Sequence, residues 1–129
     1  MQPKSILTAF SVAALIICVN FIAVPEFWIR LYGATADSQS AFLYRLIGAL
    51  FGGLAVMAWR GRSAGSSTAR HAMFLGLIVL NALLTLVAVL GALTHVYNQF
   101  AWGPVAMFGA FAIGFARPAR DPSQGLPAG

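Results

Sequence analysis

Four long apolar segments constrain the fold of this chain more than any other feature of its sequence. They cover residues 5–24, 41–59, 72–94 and 100–116, and the one charged side chain within them is Arg45. A helix needs about 20 apolar residues to cross the hydrocarbon core of a bilayer, so each segment is about long enough to span it. The pattern predicts an all-α integral membrane protein in which four spanning helices form one bundle.

The composition argues against an ordinary water-soluble domain. Of the 129 residues, 60% are hydrophobic and 9% are charged, whereas soluble domains carry about 25% charged residues. So few charged side chains cannot cover a globule that is surrounded by water. The length suits one domain. We therefore expect residues 1–116 to form a single transmembrane domain and the Pro-rich residues 117–129 to form a disordered cytoplasmic tail.

Lysine and arginine are distributed unequally between the two sides of such a bundle. Because positive charge is retained in the cytoplasm, this bias predicts that both termini and the 60–71 loop are cytoplasmic. The formal net charge of +5 does not indicate nucleic-acid binding, because the basic residues lie between apolar segments instead of forming one stripe. The residues on the predicted cytoplasmic side are Lys4, Arg60, Arg62, Arg70, Arg117 and Arg120, and those on the other side are Arg30 and Arg45.

Aromatic residues with a polar edge mark the same two boundaries. Such rings favour the headgroup region of a bilayer, because one edge is apolar and the other forms hydrogen bonds. Trp59 falls at the predicted inner boundary. The residues at the predicted outer boundary are Trp28, Tyr32, Tyr44, Tyr97 and Trp102.

The ends of the helices have recognisable signals. Asp37 or Ser38 can cap the second spanning helix, and Ser67 or Thr68 can cap the third. The fourth helix either begins at Pro104, a favoured first-turn residue, or begins near residue 98 and bends at the proline. We prefer the earlier start, because only that helix is long enough to span.

Arg45 marks the candidate ligand-binding site. It lies about one helical turn below the predicted outer end of its helix. There it can anchor the helix, form an ion pair with Glu26, bind an anionic or polar ligand, or contribute to gating or assembly. If the bundle brings the polar residues of this end together, the site consists of Asn20, Glu26, Tyr44, Arg45, His95 and Asn98.

Small and polar residues mark the faces on which the helices are expected to pack. Gly48 and Gly52 form a GxxxG pair on the same face as Arg45. In lipid, small residues allow helix backbones to approach closely, and buried amides and hydroxyls form hydrogen bonds between helices. The remaining predicted packing residues are Asn81, Thr85, Gly109 and Gly114.

The sequence gives no catalytic or metal-binding constellation. No Asp or Glu lies within a span, the single cysteine is Cys18, and no GxxxxGK[ST] motif is present. His71 and His95 lie at opposite ends of one helix, too far apart to share a metal. We therefore expect no catalytic residue, no metal and no cofactor, although a membrane enzyme that uses His95 or Glu26 remains a third alternative.

Two stretches carry a resemblance to a known group. The sequences "PEFWIRLYG" and "FLYRLIGALFGGLAVM" give the chain an aromatic outer loop and a Gly-rich second helix with an arginine near its start. In these features, and in its size and span number, the chain resembles small four-span bacterial membrane proteins of the DoxX-like and related families. The resemblance implies a multi-pass protein of the bacterial inner membrane that acts as an accessory subunit in redox or stress pathways.

We therefore expect a non-enzymatic accessory subunit or interaction module of a membrane complex. Its partners would be the lipid bilayer and either a second copy of the chain or another membrane protein, with no nucleic acid. The alternative is a binder or transporter of a small anionic or lipid-like molecule, through an outer-leaflet pocket around Arg45.

Overall fold

Four long helices make up most of the computed structural model, which describes residues 3–65 and 67–120. All four are long and apolar enough to cross a membrane, and the described residues contain no strand. The prediction of an all-α chain with four such helices is confirmed. The helices are α1 (Pro3–Ala23), α2 (Pro25–Leu31), α3 (Ser38–Gly61), α4 (Thr68–Leu93), a 3₁₀ helix (Gln99–Ala101) and α5 (Trp102–Arg120).

Two of the long helices begin at residues that the sequence marks as caps. Asp37 forms a capping box with Ser40, whose backbone N–H donates to the aspartate Oδ1 over 2.7 Å. These hydrogen bonds to Ser40 lower the pKa of the Asp37 carboxyl. The hydroxyl oxygen of Ser67 accepts a hydrogen bond from the backbone N–H of Arg70 over 3.1 Å. Each cap satisfies a donor that has no partner within its own helix.

The last helix is longer than its apolar segment. The chain is helical from Gln99, and Pro104 lies in the first turn of α5, where a missing N–H removes no helical hydrogen bond. At its other end α5 continues to Arg120, four residues into the segment expected to be a tail. Residues 121–129, the rest of that predicted tail, lie outside the described residues.

The helices pack as two pairs, α1 with α3 and α4 with α5. Gly48 and Gly52 lie where α3 approaches α1. A Cβ atom on Gly48 would come within 3.1 Å of the backbone oxygen of Cys18. Further along the same interface, the buried hydroxyl of Ser11 donates a hydrogen bond over 2.7 Å to the carbonyl oxygen of Ala55.

The two ends of the bundle differ in composition, and we name them accordingly. The basic end is where α1 and α4 begin and α3 and α5 end, and it contains Lys4, Arg60, Arg62, Arg70, Arg117 and Arg120. The aromatic end is the opposite one, with α2 and the 3₁₀ helix.

The close-packed core lies in the half of the bundle nearer the basic end. Phe10, Phe74 and Phe115 are at most 1% exposed and fill the space between the two helix pairs. The ring centroids of Phe10 and Phe115 are 5.5 Å apart, in an edge-to-face arrangement that aromatic pairs favour. These rings join α1, α4 and α5 in one apolar cluster, to which α3 contributes Phe51 and Ala55.

The outward faces of the four long helices are apolar as well. Leu50, Leu83 and Ile113 are 69%, 56% and 77% exposed, and many other large apolar side chains share such positions. A water-soluble monomer rarely exposes large continuous apolar surfaces. The outward surface is therefore suited to contact with lipid.

Candidate functional site

A cavity of about 580 Å³ lies between the two helix pairs in the half of the bundle nearer the aromatic end. Every helix contributes to its lining. Its apolar walls include Ala13, Ile17, Phe51, Ala88, Met107 and Phe108. Phe51 belongs to both the cavity wall and the core cluster, so it marks where the packed half ends.

The cavity follows from the sizes of the inward-facing residues. In the packed half, Phe10 and Phe115 occupy these positions on α1 and α5. In the other half the corresponding helices present Ala13 and Gly103, and α4 presents Ala88. Small side chains cannot fill the space between helices that larger residues hold apart further along.

Three tyrosines supply hydroxyl groups to the lining: Tyr32, Tyr44 and Tyr97, which we call the tyrosine group. The rings of Tyr32 and Tyr97 are 5.7 Å apart, and the hydroxyl of Tyr97 also lies beside that of Tyr44. Burial, with a smaller contribution from Tyr97, raises the pKa of the Tyr32 phenol. The Tyr32 hydroxyl therefore stays protonated at neutral pH and can both donate and accept hydrogen bonds.

Asn20 and Tyr44 are the two predicted ligand-binding residues that line this cavity. The Asn20 side-chain amide donates to the carbonyl oxygen of Ile16 in its own helix over 2.8 Å. No Asp, Glu, Lys, Arg or His side chain is among the lining residues. The lining thus combines apolar walls with uncharged polar groups.

Arg45 and Glu26 lie together, but they do not line the cavity. Arg45 Nη2 is 4.0 Å from Glu26 Oε1, and both side chains are about half exposed, at 50% and 51%. Arg45 Nε also donates to the carbonyl oxygen of Ile22 over 3.4 Å. The arginine therefore links the beginning of α3 to the junction between α1 and α2.

We expect this ion pair to contribute little to stability. Glu26→Gln should lower the free energy of unfolding by less than about 1 kcal/mol, because both groups are half exposed and the separation is long. Chemical unfolding in detergent would measure the loss. Exchanging the charges, Glu26→Arg with Arg45→Glu, should recover the stability lost in the single charge reversals. A double variant no more stable than the singles would reject direct pairing.

Asn98 connects the two segments that close the aromatic end. Its side-chain amide donates to the carbonyl oxygen of Leu31 over 2.8 Å, and its backbone N–H donates to the carbonyl oxygen of Tyr32 over 2.9 Å. Its Oδ1 accepts from the backbone N–H of Phe100 and so caps the 3₁₀ helix. These hydrogen bonds hold α2 beside the 3₁₀ helix and thereby place Tyr32 near Tyr97.

His95 lies apart from this group of contacts. It occupies the turn after α4 with a φ of 57°, in the left-handed region, and it is exposed. Among the described residues, no three His, Cys, Asp or Glu side chains could together hold a metal ion.

The predicted packing residues lie along the helix interfaces. Gly109 of α5 faces Thr85 of α4, and a Cβ on Gly114 would come within 2.7 Å of Ile6 on α1. Asn81 is fully buried but donates to the carbonyl oxygen of Leu77 in its own helix over 2.8 Å. Thr85 likewise donates to the carbonyl oxygen of Asn81 over 2.7 Å. These two side chains are thus bonded within α4 instead of across an interface.

The sequence predicts a pocket around Arg45, but Arg45 does not line the cavity, and no sequence pattern predicts that Tyr32 and Tyr97 do. The amphipathic rings of these two residues predict only a position at a membrane boundary. The signal available in the sequence is the small residues on the inner faces of three helices, Ala13, Ala88 and Gly103.

Comparison with known proteins gives a family but no function. Residues 4–116 match the model of a family described as a domain of unknown function, DUF8292. No curated protein and no solved structure matches the chain. The matched family is therefore not one that supports the resemblance to DoxX-like proteins.

Proposed function

We propose that this chain, which belongs to the DUF8292 family, is a non-enzymatic membrane protein that binds a small lipid-like molecule in its cavity. The observation that carries the proposal is the apolar cavity of about 580 Å³ that residues from all the helices line. Sites for small molecules are usually apolar clefts of about 300–1,000 Å³ with a few polar groups. The lining offers no carboxylate, imidazole or thiol for catalysis.

The proposal includes insertion in the cell membrane as a multi-pass protein, in a bacterium the inner membrane. The four apolar helices and their apolar outward faces support it. Six basic residues at the basic end, against Arg30 and Arg45 elsewhere, favour a cytoplasmic basic end. The cavity would then lie in the outer leaflet, where lipid-like molecules are concentrated.

A substitution that fills the cavity tests the binding function. Ala88→Phe places a ring in the lining, whereas Ala82→Phe makes the same change at an exposed position of the same helix. With dodecane as the probe and native mass spectrometry of the amphipol-solubilised protein, Ala88→Phe should weaken binding at least about tenfold, equivalent to 1.4 kcal/mol. Ala82→Phe should bind as the unaltered protein does. Equal binding by all three proteins would reject the cavity as the site.

An accessory subunit is the second candidate, and the outward face of α3 favours it. Ala49 and Gly53 are exposed there at a spacing of four residues, and a Cβ on Gly53 would have no atom within 4 Å. Such a face suits close approach of another copy of the chain or of a different membrane protein.

Crosslinking in native membranes tests the accessory role. The unaltered chain should give a defined complex, and Gly53→Ile should reduce it, whereas Val56→Leu on the same outward side should not. Recovery of only the single polypeptide at every detergent condition would contradict this role.

A further inference from the structure

The geometry points to an uncharged amphiphile as the ligand: an apolar chain that ends in a hydroxyl or carbonyl group, bound by the tyrosine group. This inference rests on the proposed binding function and adds the chemical class of the ligand's polar group. It selects between the anionic and the lipid-like molecules that the sequence left open.

The lining of the cavity carries no charged side chain. No acidic, basic or histidine side chain lines the cavity. Arg45, the residue predicted to bind an anionic group, lies outside the lining and faces Glu26. An ionised carboxylate or phosphate within apolar walls would lose its hydration without gaining a counter-charge, which is strongly unfavourable. The cavity therefore discriminates against charged molecules.

The polar groups that line the cavity include phenols, and these indicate which ligand the cavity can bind. A phenol both donates and accepts one or more hydrogen bonds, so it matches a hydroxyl or a carbonyl oxygen equally well. The Asn20 amide already donates within α1. Trp28 also lines the cavity, but its Nε1 is fully buried and so is not accessible to a ligand. The hydroxyl groups among the lining residues are those of the tyrosine group.

The polar groups of the cavity lie at the aromatic end of the bundle, and its apolar walls extend towards the core. Tyr32 and Tyr97 lie near α2 and the 3₁₀ helix, at the aromatic end. Ala13, Phe51 and Met107 lie deeper, towards the packed core. A bound amphiphile would therefore place its polar group at the aromatic end and its chain towards the middle of the bundle.

Three probes of equal chain length test the inference: dodecanol, dodecane and dodecanoate. Binding to the amphipol-solubilised full chain would be titrated by native mass spectrometry at pH 8.5, at which a carboxylic acid is ionised. We expect dodecanol to bind most tightly, dodecane more weakly and dodecanoate most weakly. In the triple variant Tyr32→Phe with Tyr44→Phe and Tyr97→Phe, which removes every hydroxyl of the tyrosine group, dodecanol should lose about tenfold in affinity, equivalent to 1.4 kcal/mol, and approach dodecane, because its hydrogen bond to the group is lost. Dodecane binding should not change.

Trp102→Phe provides a matched control. Trp102 is an exposed aromatic residue of the same end that does not line the cavity, so the control should bind all three probes as the unaltered chain does. Dodecanoate binding as tightly as dodecanol would overturn the uncharged class. Unchanged dodecanol affinity in a folded triple variant would overturn the role of the tyrosine group. Failure of all three probes to bind would instead overturn the proposed function itself, and with it this inference.

Discussion

Replacing Phe10 by alanine is expected to lower the free energy of unfolding by about 3 kcal/mol, at the lower end of the range for a buried phenylalanine. The ring is 1% exposed and contacts both Phe111 and Phe115, with centroid separations of 5.3 and 5.5 Å. In a bilayer the transfer of the side chain out of water contributes little, so most of the loss is lost packing. Unfolding in mixed micelles, followed by circular dichroism, would measure it.

Phe42→Ala is the matched control for this prediction. Phe42 is 59% exposed on α3, so its removal leaves no space between helices. We expect Phe42→Ala to change the free energy of unfolding by less than about 0.5 kcal/mol. If the two variants lost the same stability, Phe10 would not hold the two helix pairs together.

The helices themselves could be predicted from the sequence because their signals are local. Four apolar segments separated by more polar connections identify four helices. The cap at Asp37 needs only Ser40, three residues later, and the cap at Ser67 needs only Arg70. The extension of α5 through residues 117–120 was not predicted, because its arginines and Pro118 were interpreted as the start of a tail.

The site could be predicted only in part because it depends on contacts between distant residues. Arg45 and Glu26 lie on consecutive segments, so their proximity follows from a simple hairpin. The approach of Tyr32 to Tyr97 depends instead on Asn98, whose side chain bonds to a residue 67 positions earlier. No local pattern indicates that contact. The cavity likewise results from which small residues happen to face one another after the helices have paired.

The second large effect is expected at the interface between α1 and α3. Gly48→Leu should lower the free energy of unfolding by about 3 kcal/mol, at the upper end of the usual range for overpacking. Even the first carbon of the new side chain would lie 3.1 Å from the backbone oxygen of Cys18 and from Phe21 Cβ. A backbone oxygen cannot rotate away as a side chain can, so the helices must separate.

Gly53→Leu makes the same change five residues further along α3, where an added Cβ would meet no atom within 4 Å. The free energy of unfolding of this variant should lie within about 0.5 kcal/mol of that of the unaltered chain, because no neighbouring atom of the fold has to move. The loss of stability in Gly48→Ala should lie between those of the two leucine variants, because alanine adds only the Cβ atom, which would lie 3.1 Å from its neighbours. Separation of α1 from α3 would also shift Phe21 and Tyr44, whose rings are 4.8 Å apart beside the cavity. Gly48→Leu should therefore weaken dodecane binding as well as lower the free energy of unfolding. Equal free energies of unfolding for Gly48→Leu and Gly53→Leu would contradict the close approach of α1 and α3 on which the cavity depends.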